Sequence, residues 1–168
     1  HRPNLDAILV AGGASRRMGF DKLTAPLAGK NAVHFSLSAF QSCPDVARIV
    51  LVCPSGREEE FCGYASGYSK VVGVVTGGVE RSDSVRAGAE VLVRNKSGSE
   101  PFLDSDGIVR GGFVAVHDVA RPLIRQESIS ACFELAREVG AAALAERLAD
   151  TLHCCAEDGT VLGTVPRE

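Results

Sequence analysis

The chain has 168 residues, of which 45% are hydrophobic, 5% aromatic and none Trp, and its formal net charge is −3. That length suits a single domain with a substantial core, of the Ala/Val/Leu/Gly-built α/β kind. The slightly acidic balance lacks the basic footprint of a general nucleic-acid binder, no apolar run reaches the roughly 18 residues of a membrane span, and the first residues form no signal-peptide apolar region, so neither nucleic acid nor membrane is an expected partner.

The first element is an apolar run, Ala7 to Ala11, which reads as a short buried strand. It meets Gly12 and Gly13, which have no Cβ and let backbone N–H groups approach a ligand closely. Arg16, Arg17 and Lys22 then add three cations within seven residues. Successive N–H groups and dense cations after a strand suit a polyphosphate, and a turn with solvated arginines is the plainer alternative. The spacing is neither G-x-G-x-x-G nor a Walker loop, because Leu23 and not Ser or Thr follows Lys22.

Beyond a connector that contains Pro26, Asn31 is placed to cap a helix whose apolar face is Val33, Leu37 and Phe40, ending near Cys43 before Pro44. His34 lies one residue off that face and reads as a partly exposed helix histidine. Arg48 to Cys53 is the second strand, apolar enough to be central in a sheet. Arg57 to Phe61 gives one or two helical turns, and Gly63 and Gly67 mark a loop. Lys70 to Val75 is the third strand and runs into Thr76-Gly77-Gly78. Ser82 or Asp83 is placed to cap the next helix, with Val85, Ala89 and Leu92 on one face. The polar stretch from Arg94 to Asp106 is a surface loop.

Gly112 to His117 is the fourth strand, with Asp118 just past its end and Arg121-Pro122 beyond. His117 is placed to pack or to hydrogen-bond rather than to catalyse. Ser128 or Glu127 opens a helix with Ile129, Cys132, Phe133, Ala136 and Val139 inward, and Gly140 stops it. Ala141 to Leu144 reads as a fifth strand. Asp150–Cys155 and Thr160–Val165 flank Glu157-Asp158-Gly159 as a hairpin, which has little to pack on within its own sheet and is expected to project onto a partner. The six cysteines show no C-x-x-C pair and no zinc-ligand spacing, so they read as reduced, mostly buried thiols of a cytoplasmic protein.

Strands alternating with helices imply right-handed βαβ units and a mostly parallel sheet covered on both faces. A ligand of such a sheet lies in the crevice at the carboxyl ends of its strands. Three segments end there: Gly12–Lys22, Gly77–Ser84 and Asp118–Arg121. The first offers N–H groups and cations for a triphosphate. The second offers a tight turn and the Ser84 hydroxyl to read a base edge, or simply a helix cap. The third offers Asp118 as a hard oxygen ligand for Mg²⁺, or a loop aspartate, and Arg121 as a phosphate partner. No G-x-S-x-G elbow or paired carboxylates stand out, so the equipment is that of phosphoryl or nucleotidyl transfer.

Three pieces in this order, L-V-A-G-G-A-S-R-R-M-G-F-D-K, T-G-G-V-E-R-S-D-S-V and V-H-D-V-A-R-P, resemble the 2-C-methyl-D-erythritol 4-phosphate cytidylyltransferases of the non-mevalonate isoprenoid pathway. The resemblance runs on through A-D-T-L and T-V-P-R-E and covers nearly the whole chain. It implies a Rossmann-like nucleotidyltransferase domain with a projecting C-terminal β-hairpin arm, at about residues 150–165, that builds a homodimer. It implies that CTP and methylerythritol phosphate are joined with release of pyrophosphate, with Mg²⁺ as cofactor. It assigns Ala11, Gly12, Gly13, Arg16, Gly78, Val79 and Ser84 to CTP, and Arg17 and Lys22 to the triphosphate as catalytic residues. Asp118, Arg121, Asp150 and Thr151 go to the second substrate, with Asp118 also serving the metal.

The sequence departs from that pattern in places. Ala149 stands where the family often has a basic residue, with Arg147 two positions away, and Val79 replaces a residue that is often polar. R-M-G-F-D-K is closer to molybdenum-cofactor guanylyltransferases, which keeps a guanylyl- or sugar-phosphate nucleotidyltransferase as an alternative. Family chains continue past the position of Glu168, so the C-terminal part of the family domain is expected to be missing, and a nucleotide-binding module without turnover is a further alternative.

Overall fold

The computed structural model describes residues 5–11, 21, 23–95, 112–147 and 149–166. In order, the elements are β1 (Leu5–Val10), α1 (Ala32–Ser42), β2 (Val46–Cys53), α2 (Glu58–Ala65), β3 (Val71–Thr76), α3 (Arg81–Arg94), β4 (Phe113–Asp118), α4 (Gln126–Val139), β5 (His153–Cys155) and β6 (Val161–Thr164). The first four strands form one parallel sheet in the order β3-β2-β1-β4. β1 is therefore flanked on both edges and is buried along its whole length.

β1 begins two residues earlier than apolarity suggests, because Asp6 is not solvated. It is 8% exposed and faces Arg48 in register on β2. The guanidinium grips both its oxygens, Nη2 to Oδ2 at 2.6 Å and Nε to Oδ1 at 3.0 Å. A third arginine donor goes to the carbonyl of Leu92 on α3. A paired, hydrogen-bonded carboxylate tolerates burial that a lone one would not.

Period-two alternation splits the core. Ala7, Leu9, Ile49 and Leu51 face a broad cluster completed by α1, α2 and α4, including Leu37, Phe40, Phe61 and Phe133. Ile8, Val10, Val50 and Val52 face a smaller one closed by Leu92 of α3. α3 lies so close to the sheet that a Cβ on Gly88 would come within 2.6 Å of the Ile8 Cγ2 methyl, which is why glycine is needed there. Chain direction explains the two layers: β1, β2 and β3 step one way across the sheet, and the connection to β4 steps back past β1. Right-handed crossovers put helices of opposite steps on opposite faces. The reversal makes a switch point between β1 and β4, where ligands of open α/β sheets bind.

Several expectations are adjusted. Asn31 caps α1 as anticipated, its side chain accepting the His34 N–H at 3.0 Å. His34 itself is half-buried and bonds the Tyr68 hydroxyl through Nδ1 at 3.1 Å. α2 runs through Gly63 to Ala65, because Phe61 and Ala65, four apart, are both buried. α3 starts at Arg81 with Glu80 as its N-cap, ahead of the expected Ser82 or Asp83; Asp83 serves the cap by accepting the Glu80 N–H at 3.1 Å. α4 buries Ile129 and Phe133 but leaves Val139 66% exposed, one residue before its glycine stop. Ala141 to Leu144 is not a strand: it is largely exposed, and no ladder partner meets it among the described residues. Without a partner the strand has nowhere to place its backbone hydrogen bonds. Most of the expected 94–106 loop lies outside the described residues.

The terminal hairpin forms as anticipated, though shorter, as a separate antiparallel sheet pairing His153 with Thr164. Gly159, at φ 87°, makes the turn. The strands β5 and β6 are exposed throughout. All six cysteines are free, but only Cys43 and Cys53 are buried, while Cys62, Cys154 and Cys155 are exposed and Cys132 is in between. The expectation of mostly buried thiols is corrected accordingly. No described helix is long and apolar enough to cross a membrane.

Candidate functional site

The carboxyl ends of β1, β3 and β4 carry the candidate residues. Ala11 extends β1 by one residue, 1% exposed, its N–H donating to the Val52 carbonyl at 2.8 Å. Gly12, Gly13, Arg16, Arg17 and Lys22 lie outside the described residues. The chain around Lys22 is described at both flanks. Asp21 accepts the Leu23 N–H at 3.0 Å and the Thr24 hydroxyl at 2.7 Å, and pairs with Arg57 Nη1 at 2.7 Å. Burial works against the Asp21 charge, but the Thr24, Leu23 and Arg57 contacts outweigh it and hold the carboxyl below its usual range. The same guanidinium also bonds both oxygens of Glu60, which accepts in addition from the Tyr64 hydroxyl. Asp21, which follows the glycine and arginine residues in sequence, is thus fastened to the start of α2.

The second segment leaves β3 at Gly77, whose N–H continues the ladder to the Cys53 carbonyl at 2.8 Å. A side chain at Gly77 would meet the Ser84 hydroxyl and the Val52 methyl, and one at Gly78 would collide with Asp83. The bare backbone of this turn is therefore what its close packing requires. Val79 is 97% exposed at its tip. Ser84 is 2% exposed, beneath the turn, and its hydroxyl donates to the Glu80 carbonyl at 3.4 Å.

Asp118 is the last residue of β4, not a loop residue beyond it, and pairs in register with Val10. The turn after it is anchored twice. The Val119 N–H donates to the Val10 carbonyl at 3.0 Å, and the Ser36 hydroxyl of α1 donates to the Val119 carbonyl at 3.3 Å. These bonds fix Asp118 at the switch point beside Ala11. Its carboxylate lies between two cations, Arg81 Nε at 3.1 Å from Oδ1 and Arg121 Nε at 3.8 Å from Oδ2. Next to it in the strand, His117 packs against Phe40 in a tilted arrangement, 5.2 Å between ring centroids. Burial lowers the His117 pKa, opposed by a hydrogen bond with the Arg121 backbone, and its Nε2 has no partner.

The structure thus gathers Ala11, Gly77 to Ser84 and Asp118 to Arg121 at one end of one sheet. Asp150 and Thr151 are exposed ahead of the hairpin, and no hydrogen bond or ion pair joins them to those turns among the described residues. In the sequence Arg81 stands only inside the piece T-G-G-V-E-R-S-D-S-V, with no reading of its own. Its contact with Asp118 joins segments 37 residues apart, for which sequence spacing gives no signal. Among the described residues no group of three acidic, His or Cys side chains forms a metal cage. Asp118 is one carboxylate, which fits a divalent ion brought in on phosphate oxygens, not an all-protein site.

Comparison with known proteins agrees with this geometry. The family described as "IspD: 2-C-methyl-D-erythritol 4-phosphate cytidylyltransferase" matches residues 5–168. A protein of that name from Dehalococcoides mccartyi strain CBDB1 is 38% identical over 165 residues, covering 96% of this chain and 66% of that protein. The "Bifunctional enzyme IspD/IspF" of Desulforudis audaxviator is 38% identical over 168 residues, covering 96% of this chain and 38% of its own length. A crystal structure of "4-diphosphocytidyl-2C-methyl-D-erythritol synthase" superposes with a TM-score of 0.69 at 25% identity, covering 99% of this chain and 69% of that one. A synthase of the same name from Anaerococcus prevotii shares the fold with a TM-score of 0.67 at 20% identity, covering 98% and 64%. The chain therefore spans just under two thirds of its first curated relative.

Proposed function

Because the chain belongs to the 2-C-methyl-D-erythritol 4-phosphate cytidylyltransferase family, we propose that it carries the nucleotide-binding part of an enzyme that joins CTP to methylerythritol phosphate. The products are 4-diphosphocytidyl-2-C-methyl-D-erythritol and pyrophosphate. The observation that carries this reading is the meeting of Ala11, Gly77 to Ser84 and Asp118 to Arg121 at the β1–β4 switch point.

In this reading a phosphate oxygen of methylerythritol phosphate attacks the α-phosphorus of CTP in line, the bond to the β-phosphate oxygen breaks, and pyrophosphate leaves. The attacking oxygen is already anionic at neutral pH, so no general base is required. Ala11 and the 12–13 backbone line the nucleotide, with Arg16 beside it. The Gly78–Val79 backbone and Ser84 read cytosine. Arg17 and Lys22 offset the charge that grows in the transition state. Asp118, Arg121, Asp150 and Thr151 serve the second substrate. Mg²⁺ on the triphosphate would neutralise oxygen charge, with Asp118 as its protein carboxylate. The exposed apolar side chains of the hairpin, Val161 and Leu162 among them, support a homodimer built through this arm. Six free thiols suit a cytoplasmic enzyme.

The experiment is an assay of pyrophosphate release by the full-length protein. Release requires CTP and methylerythritol phosphate together, and GTP or UTP does not replace CTP. Lys22→Ala lowers the rate by ~10²–10³-fold. A loss under tenfold would remove Lys22 from its assigned role, and release with GTP in preference to CTP would replace the cytidylyl reading with a guanylyl one.

A further inference from the structure

We propose that Arg81 is a positioning residue that clamps the base-reading turn to the end of β4 through Asp118, and so sets the spacing between two walls of the nucleotide pocket. The inference rests on the pocket assignment above. Arg81 is the first residue of α3, directly after the Gly77–Glu80 turn. The other wall is the strand end at Asp118, held in place by the Val119–Val10 and Ser36–Val119 hydrogen bonds. Among the described residues, the polar side-chain link between the two walls is Arg81 Nε to Asp118 Oδ1 at 3.1 Å, across 37 residues.

The rest of the turn has little else to hold it in that direction. Val79 stands in solvent. Glu80 is capped by Asp83 of its own helix, and Ser84 bonds back to Glu80. These contacts shape the turn internally but do not fix it against β4. Arginine suits the task because its planar fork spends one donor on the carboxylate and keeps a fixed orientation, which a lysine ammonium does not impose. The side chain is 60% exposed and Asp118 33%, so this ion pair adds little to the stability of the fold. An effect of its loss on ligand binding is therefore separable from unfolding.

The test is a double-mutant cycle in CTP affinity, measured by titration calorimetry on the 168-residue chain, with Arg81→Ala, Arg81→Lys, Asp118→Asn and Arg81→Ala/Asp118→Asn. Arg81→Ala is expected to weaken CTP about tenfold, with Arg81→Lys between it and the wild type. Because the two residues act as one unit, the double variant is expected to be no weaker than the worse single variant. The preference for CTP over UTP narrows in Arg81→Ala, whereas general loosening of the fold would weaken both nucleotides alike. Melting temperatures stay close to the wild type. Wild-type affinity in Arg81→Ala, or single losses that multiply in the double variant, would overturn the clamp. If the wild type instead binds GTP or UTP in preference to CTP, the cytidylyl reading fails and the same cycle, run with that nucleotide, decides the clamp; if it binds none of the three, both readings fail.

Discussion

Among the described residues, three helices cover one face of the sheet and one helix covers the other. The α1/α2/α4 face closes a core that runs from Leu5 to Phe133, while α3 closes a cluster of five buried residues, Ile8, Val10, Val50, Val52 and Leu92. The thinner layer is the one that carries the Gly77–Glu80 turn, proposed above to read the base, and Arg81. It compensates for small area with close approach, Gly88 against Ile8 and Gly73 against Val91. The broad face buries the larger cluster and the thin face carries the turn proposed to bind the base, so damage to each is expected to register in a different measurement.

The largest expected effect lies on the broad face. Leu37 is fully buried there, and Leu37→Ala should lower the unfolding free energy by about 2–5 kcal/mol in a denaturant titration. CTP affinity, measured well below the transition, should stay within about twofold of the wild type. A large affinity loss would break the division of labour between the faces. On the thin face, Gly88→Ala drives a methyl into Ile8 and is expected to cost about 1–3 kcal/mol. Here the affinity for CTP should fall as well, because the helix that starts at Arg81 is pushed off the sheet. An unchanged affinity would show that α3 can shift without moving the turn.

The smallest effect concerns His117, under the site at the end of β4. Burial lowers its folded-state pKa below the ordinary value near 6.5. The unfolded chain therefore takes up a proton that the folded chain resists. Stability from this group is fully present above that ordinary value and is lost as pH falls through it toward the lower folded value. The melting temperature of the wild type should accordingly drop on acidification from pH 7 toward pH 5, and His117→Gln should flatten that part of the profile. Parallel profiles would show that the imidazole is not what titrates.

Much of this was legible in the sequence for a physical reason. Continuous apolar runs such as Arg48 to Cys53 have no soluble alternative to a central strand, and Asn31 and Gly140 mark helix ends through local chemistry that needs no tertiary partner. What stayed hidden depends on contacts between distant segments. The start of β1 depends on Arg48 covering Asp6. The extension of α2 depends on Phe61 and Ala65 finding the core. Ala141 to Leu144 reads as a strand by composition, yet composition cannot supply a ladder partner. In the site the same split holds: the glycine turn and Asp118 stand out by residue type, whereas Arg81 has no distinguishing local signal until β4 is placed beside it.

Backbone amide resonances followed during a CTP titration decide whether the ends of β1, β3 and β4 line one nucleotide pocket. In that case Ala11, Gly78, Ser84, Asp118 and Arg121 shift together along one binding curve, while His153 and Val161 in the hairpin stay still. Shifts that divide between two curves of different affinity, or that fall on the hairpin and spare the strand ends, would rule the single pocket out.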